Sequence, residues 1–222
     1  MWFLAINTAL ALIPALFLVS FFYRRDKQKP EPKALIWKTF VIGFFSVLPA
    51  IVLELVLNRV SVLSDGLGGA AIDAFLVAGL VEESIKLAVI MIFIFKRDEF
   101  DEVHDGIVYM ITASMGFAFF ENIMYSFGSS AIILIRGVTA VPLHAIASGI
   151  MGYYIGKTKC GDKNYIAKGL LLAVLIHGTY DFFLFTGGAF IFLVLPLLII
   201  SGFLLFMLSR RALKEDLYAG RS

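Results

Sequence analysis

The chain has 222 residues, 60% of them hydrophobic, a mean hydropathy of +0.90, and a net charge of only +2. That balance excludes an ordinary soluble domain, and no nucleic-acid partner is expected. The single cysteine, Cys160, excludes an internal disulfide. Apolar stretches of about 20 residues recur, the length that crosses a bilayer as a helix. The expected fold is therefore all-α: a polytopic transmembrane helical bundle of about seven spans, one domain over 1–222, with the lipid bilayer as its solvent.

The first span, 1–23, lacks the basic n-region of a signal peptide; Arg24, Arg25 and Lys27 follow its apolar core instead, which favours a retained helix. Further spans are expected at 35–57, 70–95, 106–127, 131–156, 165–185 and 188–208. Basic residues collect in alternate loops: Lys29 and Lys33 with the first group, then Lys96 and Arg97, then Lys157, Lys159 and Lys163, then Arg210, Arg211 and Lys214. The intervening loops hold only Arg59. The positive-inside rule then puts the N-terminus outside and the C-terminus in the cytoplasm, in a multi-pass cell-membrane protein. Gly66, Gly68 and Gly69 read as a flexible external loop, and Gly128-Ser129-Ser130 and Thr186-Gly187-Gly188 as short turns. Pro142 stands two residues before His144 and is either tolerated within its span or bends the helix so that His144 points inward.

Polar groups of acid-base or metal-binding type interrupt these spans. Glu82 and Glu83 fall near the middle of the third, with Lys86 one turn after Glu82. Glu121 lies in the outer half of the fourth, and His144 and His177 lie near the middle of theirs. Asp181 is one turn from His177 on the same helix face, so it either orients the imidazole or ligates the same ion. Counted at about 1.5 Å per residue, all of these overlap in depth. Intramembrane carboxylates are expensive and are functional by default, although a single one often serves as a helix–helix hydrogen bond. Here four acids face one deep lysine, and the excess has to be met by water, protonation or a cation. Glu83 is about 100° around the helix from Glu82, so the two need not face the same target, and one of them is free to serve as a structural acceptor for a neighbouring helix.

Other groups read as structural. Glu54, Asp73 and Arg136 lie near outer span ends, where they can snorkel or pair, and Gly149, Gly152 and Gly156 suggest close helix packing. His104 belongs to an acidic run with Asp98, Glu99, Asp101, Glu102 and Asp105 that reads as a solvated face.

The chain has no His-Glu-x-x-His, no Gly-x-Ser-x-Gly and no Gly-x-Gly-Asp. What it has is Glu-Glu-Ser-Ile-Lys at 82–86, Phe-Ala-Phe-Phe-Glu-Asn at 117–122, His144, and His-Gly-Thr-Tyr-Asp at 177–181. In that order and spacing it resembles the PrsW family of membrane proteases, related to the CAAX prenyl endopeptidases and bacteriocin-processing enzymes, over roughly residues 10–205. The resemblance implies cleavage of a transmembrane anti-sigma factor on its outer side. It also implies a catalytic set of Glu82, Glu83, Glu121, His177 and Asp181. In the wider group the second motif ends in His and the last in Asn, where this chain has Glu121 and Asp181, so that metal-free mechanism does not transfer directly. By analogy Glu82 is the general base, assisted by Glu121, while His177 and Asp181 polarise the carbonyl. The competing mechanism uses Zn2+ or another divalent cation on His144, His177, Glu121 and Asp181, and a slight preference goes to the metal. A proton- or cation-coupled transporter and a non-catalytic scaffold are the alternatives from other classes; the first would be built from the same buried groups.

Overall fold

A computed structural model describes residues 2–25, 27, 29–61, 66–125 and 130–219 of the chain. Among these the secondary structure is helical throughout, in seven rods with short connections. The first is α1 (Trp2–Tyr23) and the second is α2 (Lys33–Phe45) followed by α3 (Val47–Ser61). The third runs through α4 (Gly66–Ile72), a π-helical segment (Asp73–Gly79) and α5 (Leu80–Phe93). Then come α6 (Val103–Tyr125), α7 (Ser130–Val138) with α8 (Ala140–Lys159), and α9 (Ile166–Thr186). A 3-10 segment (Gly188–Leu193) leads into α10 (Val194–Ala219). Six of the rods are long and apolar enough to cross a membrane; the remaining one, 66–93, carries Asp73, Glu82, Glu83 and Lys86. The expected all-α transmembrane bundle is thus what the chain forms.

Two rods break three residues ahead of a proline, at Ser46 before Pro49 and at Thr139 before Pro142. Each proline lacks the amide that would have bonded back across the break, so the helix restarts rather than continues. The break therefore precedes Pro142, and His144 falls in the first turns of α8. Ser46 softens its break by donating from its hydroxyl to the Gly43 carbonyl at 2.7 Å.

The core centres on α6, whose residues from Val103 to Ala118 are all buried, and which packs most extensively against α8 and α2. In lipid such contacts depend on close backbone approach rather than on a hydrophobic drive between helices. A Cβ on Gly152 would collide with the Gly106 carbonyl, and one on Gly116 with the Phe40 carbonyl, so glycine sets the α6–α8 and α6–α2 spacings. On the same principle α9 lies against the π-helical segment: Gly178 offers its bare backbone to the Phe75 ring, and Gly79 approaches the Gly178 backbone. These crossings bring α5, α6, α8 and α9 around one point at mid-height.

The structure corrects three expectations. His104 and Asp105 are fully buried rather than solvated, because α6 begins at Val103 and its first amides are capped from α10. Asp216 accepts from Val103 N at 2.7 Å and from His104 N at 3.0 Å, while His104 Nε2 lies 3.2 Å from Ser209 Oγ. Gly66, Gly68 and Gly69 open α4 instead of forming a loop. The last helix continues well past 208, to Ala219. Of the short turns, Gly128 and Ser129 lie outside the described residues, whereas Gly187 and Gly188 take positive φ, as a tight glycine turn requires.

Candidate active site

Glu82 and Glu83 occupy the first turn of α5, directly after the π-helical segment, and both are buried with Lys86. The Lys86 Nζ donates to Glu82 Oε2 at 3.0 Å and to Glu83 Oε1 at 2.8 Å, and lies 2.9 Å from His144 Nδ1. An ammonium only donates, so His144 Nδ1 is an acceptor and its proton sits on Nε2, 2.9 Å from Glu121 Oε2. Lys86 also stands over the Phe117 ring, 4.4 Å from its centroid.

The two adjacent acids face different partners. Glu83, fully buried, accepts from Lys86, from Ser148 Oγ at 3.0 Å and from His177 Nδ1 at 2.8 Å. With Nδ1–H spent on Glu83, His177 presents Nε2 to Asp181 Oδ2 at 3.3 Å and to Glu82 Oε2 at 3.8 Å. Two carboxylates at one imidazole nitrogen call for a positive charge between them, either a proton or a metal ion. The two imidazoles meet edge to face, with centroids 4.9 Å apart.

All six side chains singled out from the sequence, Glu82, Glu83, Glu121, His144, His177 and Asp181, therefore meet in one cluster. Two members, Arg136 and Ser148, were not singled out. Arg136 pairs with Glu121 Oε1 at 2.9 Å, donates from Nε to Asn122 Oδ1 at 2.8 Å and stacks on Tyr125. It supplies a second cation where the sequence showed only Lys86. Glu121 and Arg136 stand equally far from positions 128–129 in sequence, which would have matched their depths across that hairpin. Ser148 and the Lys86–His144 contact carried no such signal.

Glu82 is the cluster's link to open space. It lines a cavity of about 290 Å³ together with Val47, Ala50, Ile51 and Glu54 of the second rod and Glu121 and Tyr125 of α6. A carboxylate at the floor of an apolar-walled cavity, with an imidazole and a second acid behind it, can hold and deprotonate a water.

Glu82, Glu83, His144 and His177 offer ligand atoms that all lie within 4.8 Å of one another, and two imidazoles with carboxylates suit a zinc-sized dication. Within that set His144 has both ring nitrogens engaged, by Lys86 and Glu121. The donor atoms without a bond to Lys86 are His177 Nε2 and Asp181 Oδ2, 3.3 Å apart, while Glu82 Oε2, 3.8 Å from His177 Nε2, is shared with Lys86.

Residues 31–208 match the family model described as PrsW family intramembrane metalloprotease. The chain is 35% identical to Protease PrsW of Bacillus subtilis (strain 168) over 193 residues, covering 85% of this chain and 87% of that protein. It is 37% identical to Protease PrsW of Geobacillus kaustophilus (strain HTA426) over 175 residues, with 77% and 76% covered. It is 35% identical to the protein of the same name from Clostridioides difficile (strain 630), with 79% and 77% covered. No solved structure matches the chain.

Proposed function

This chain belongs to the PrsW family of intramembrane metalloproteases and is a multi-pass membrane protease, and from that premise we propose that it cleaves a single-span membrane protein of the anti-sigma-factor class, with Glu82 as the general base. The observation that carries the reading is the position of Glu82. It is the one acid that both lines the cavity and lies within 4 Å of the ring nitrogens of His144 and His177.

The parts divide the work. Glu82 takes a proton from water entering the cavity, while Lys86 holds its Oε2 and Glu121 is steadied by Arg136 and His144. His177, with Nδ1 anchored on Glu83, points Nε2 at the reacting carbonyl oxygen, and Asp181 orients it. Glu83 is then a positioning residue that fixes the tautomer and direction of His177. The divalent ion would be held by His177 Nε2 with Glu82 and Asp181; His144 would join by giving up Lys86 or Glu121. When bound, such an ion supplies Lewis acidity and lowers the pKa of water. Alternating basic loops favour a C-terminus inside, so the cavity mouth beside the ends of α3 and α6 faces outward and cleavage falls on the outer side. Family membership removes the support for the transporter and scaffold alternatives.

The test is cleavage of a candidate single-span substrate by purified protein in detergent, with metal content measured on the same sample. Glu82→Gln is expected to abolish cleavage with the fold intact, and His177→Ala to abolish it too. Stoichiometric metal, with activity lost on chelation and restored by zinc, supports the metallo reading. Cleavage by metal-free protein replaces it with a glutamate-based one, and full activity of Glu82→Gln removes that residue from the mechanism.

A further inference from the structure

One acid at the cavity has no task in that chemistry. Glu54 of α3 lines the same space as Glu82 and Glu121, alongside Ile51, Met124 and Tyr125. Glu82 is paired with Lys86, and Glu121 with Arg136. Glu54 has no hydrogen-bond or ion-pair partner among the described residues. Among the described residues the cavity wall holds three carboxylates and no cation. Its neighbours Leu53, Leu55 and Val56 are exposed apolar side chains, so Glu54 sits on a helix that otherwise shows lipid-compatible surface. An unpaired carboxylate there is costly, and a structural role would be served better by an apolar residue. The position also has a direction: Glu54 lies two turns from the end of α3, beyond Glu82 as seen from the basic end of the bundle, where a polypeptide entering the cavity would pass it first.

We propose that Glu54 is a specificity residue that binds a cationic side chain, Lys or Arg, flanking the scissile segment of the substrate. The apolar walls of Ile51 and Met124 would take the apolar part of a spanning segment, and the carboxylate would take the base that marks its end. The inference rests on the proteolytic reading of this cavity.

The probes are two fluorescent Leu/Ala-rich single-span peptides, identical except for one flanking residue, Lys or Gln. Binding is measured by anisotropy in detergent on Glu82→Gln protein, which holds substrate without turnover, and on the same protein also carrying Glu54→Gln or Glu54→Lys. The Lys peptide is expected to bind about tenfold tighter than the Gln peptide, as one good charge-assisted contact would give. That preference should vanish with Glu54→Gln, and a Glu-flanked peptide should become the preferred ligand of Glu54→Lys. Equal binding of the two peptides, or a preference that survives Glu54→Gln, overturns the assignment. Cleavage by protein with Glu82 intact separates the two readings. Charge-dependent binding without cleavage would sink the proteolytic reading alone, whereas cleavage indifferent to flanking charge and to Glu54 would sink this inference alone. On a cleaved Lys peptide, the Glu54→Gln loss should fall on KM rather than kcat.

Discussion

Replacing Lys86 by Met tests whether the buried charges are as interdependent as the geometry says. The side chain is fully buried and its ammonium lies 2.8–3.0 Å from Glu82, Glu83 and the His144 ring. At about 3 Å and an effective dielectric near 20, each carboxylate contact is worth roughly 5 kcal/mol before desolvation is counted. Desolvating three charges cancels much of this, so the figure to use is the measured cost of breaking a buried pair, about 3–5 kcal/mol. For a chain of this size, about 2–4 °C of melting temperature per kcal/mol puts the fall at roughly 6–20 °C. The assay is thermal unfolding in a fixed detergent, followed by tryptophan fluorescence. Adding Glu83→Gln should recover most of the loss, because the amide removes the more deeply buried orphaned charge, its carbonyl can still accept from His177, and its NH2 can donate to Ser148 Oγ. A Lys86→Met protein that melts with the parent, or a double variant no more stable than the single, would refute the reasoning. Either result would mean that the two glutamates are already neutral in the folded protein.

Arg136→Gln frees Glu121 from its ion pair and should lower kcat/KM by roughly ten- to a hundredfold, with partial recovery in Arg136→Lys; unchanged kinetics would return Arg136 to a structural role. Gly152→Ala drives a Cβ into the Gly106 carbonyl and should cost about 1–3 kcal/mol in the same melting assay, whereas an unchanged transition would refute the close α6–α8 approach. Cys160 is exposed at the surface, but its thiol donates to the Asp101 carbonyl at 3.3 Å, and its pKa is pushed up to about 12, first by partial desolvation and then by Asp216, Asp105 and Asp101. A raised thiol pKa keeps the proton on, so maleimide labelling near pH 8 should be much slower in the folded protein than in SDS and should accelerate only toward pH 12. Equal rates in the two states at pH 8 would contradict that environment.

How much of this was legible beforehand differs between the fold and the site. The rods were readable because a span has to be apolar over a fixed length, and the bilayer leaves helices as the only solution for such a chain. The clustering of Glu82, Glu121, His144, His177 and Asp181 was readable because depth is a one-dimensional quantity obtained by counting from a helix end. Their pairwise contacts were not readable, since azimuth and crossing angle depend on neighbours. Lys86 meets His144 across 58 positions, and Glu83 meets His177 across 94. Within the acidic run only His104 and Asp105 were misread, and for the same reason: Asp98, Glu99 and Asp101 are exposed as expected, whereas Asp216, 112 positions from His104, caps and helps bury the helix start.

By itself, then, the sequence determined the fold class, the depth of each polar group and the family motifs, all of which follow from composition, order and count along single helices. Only the tertiary structure separated the roles of the two adjacent glutamates, one buried against Lys86, Ser148 and His177, the other open to a cavity. It also brought Arg136 into the cluster and left Glu54 beside it without a hydrogen-bond or ion-pair partner among the described residues. The physical reason is that a buried charge is defined by what surrounds it, and those surroundings are assembled from helices whose rotation and spacing are set by glycine contacts such as Gly106 on Gly152 and Gly178 on Phe75.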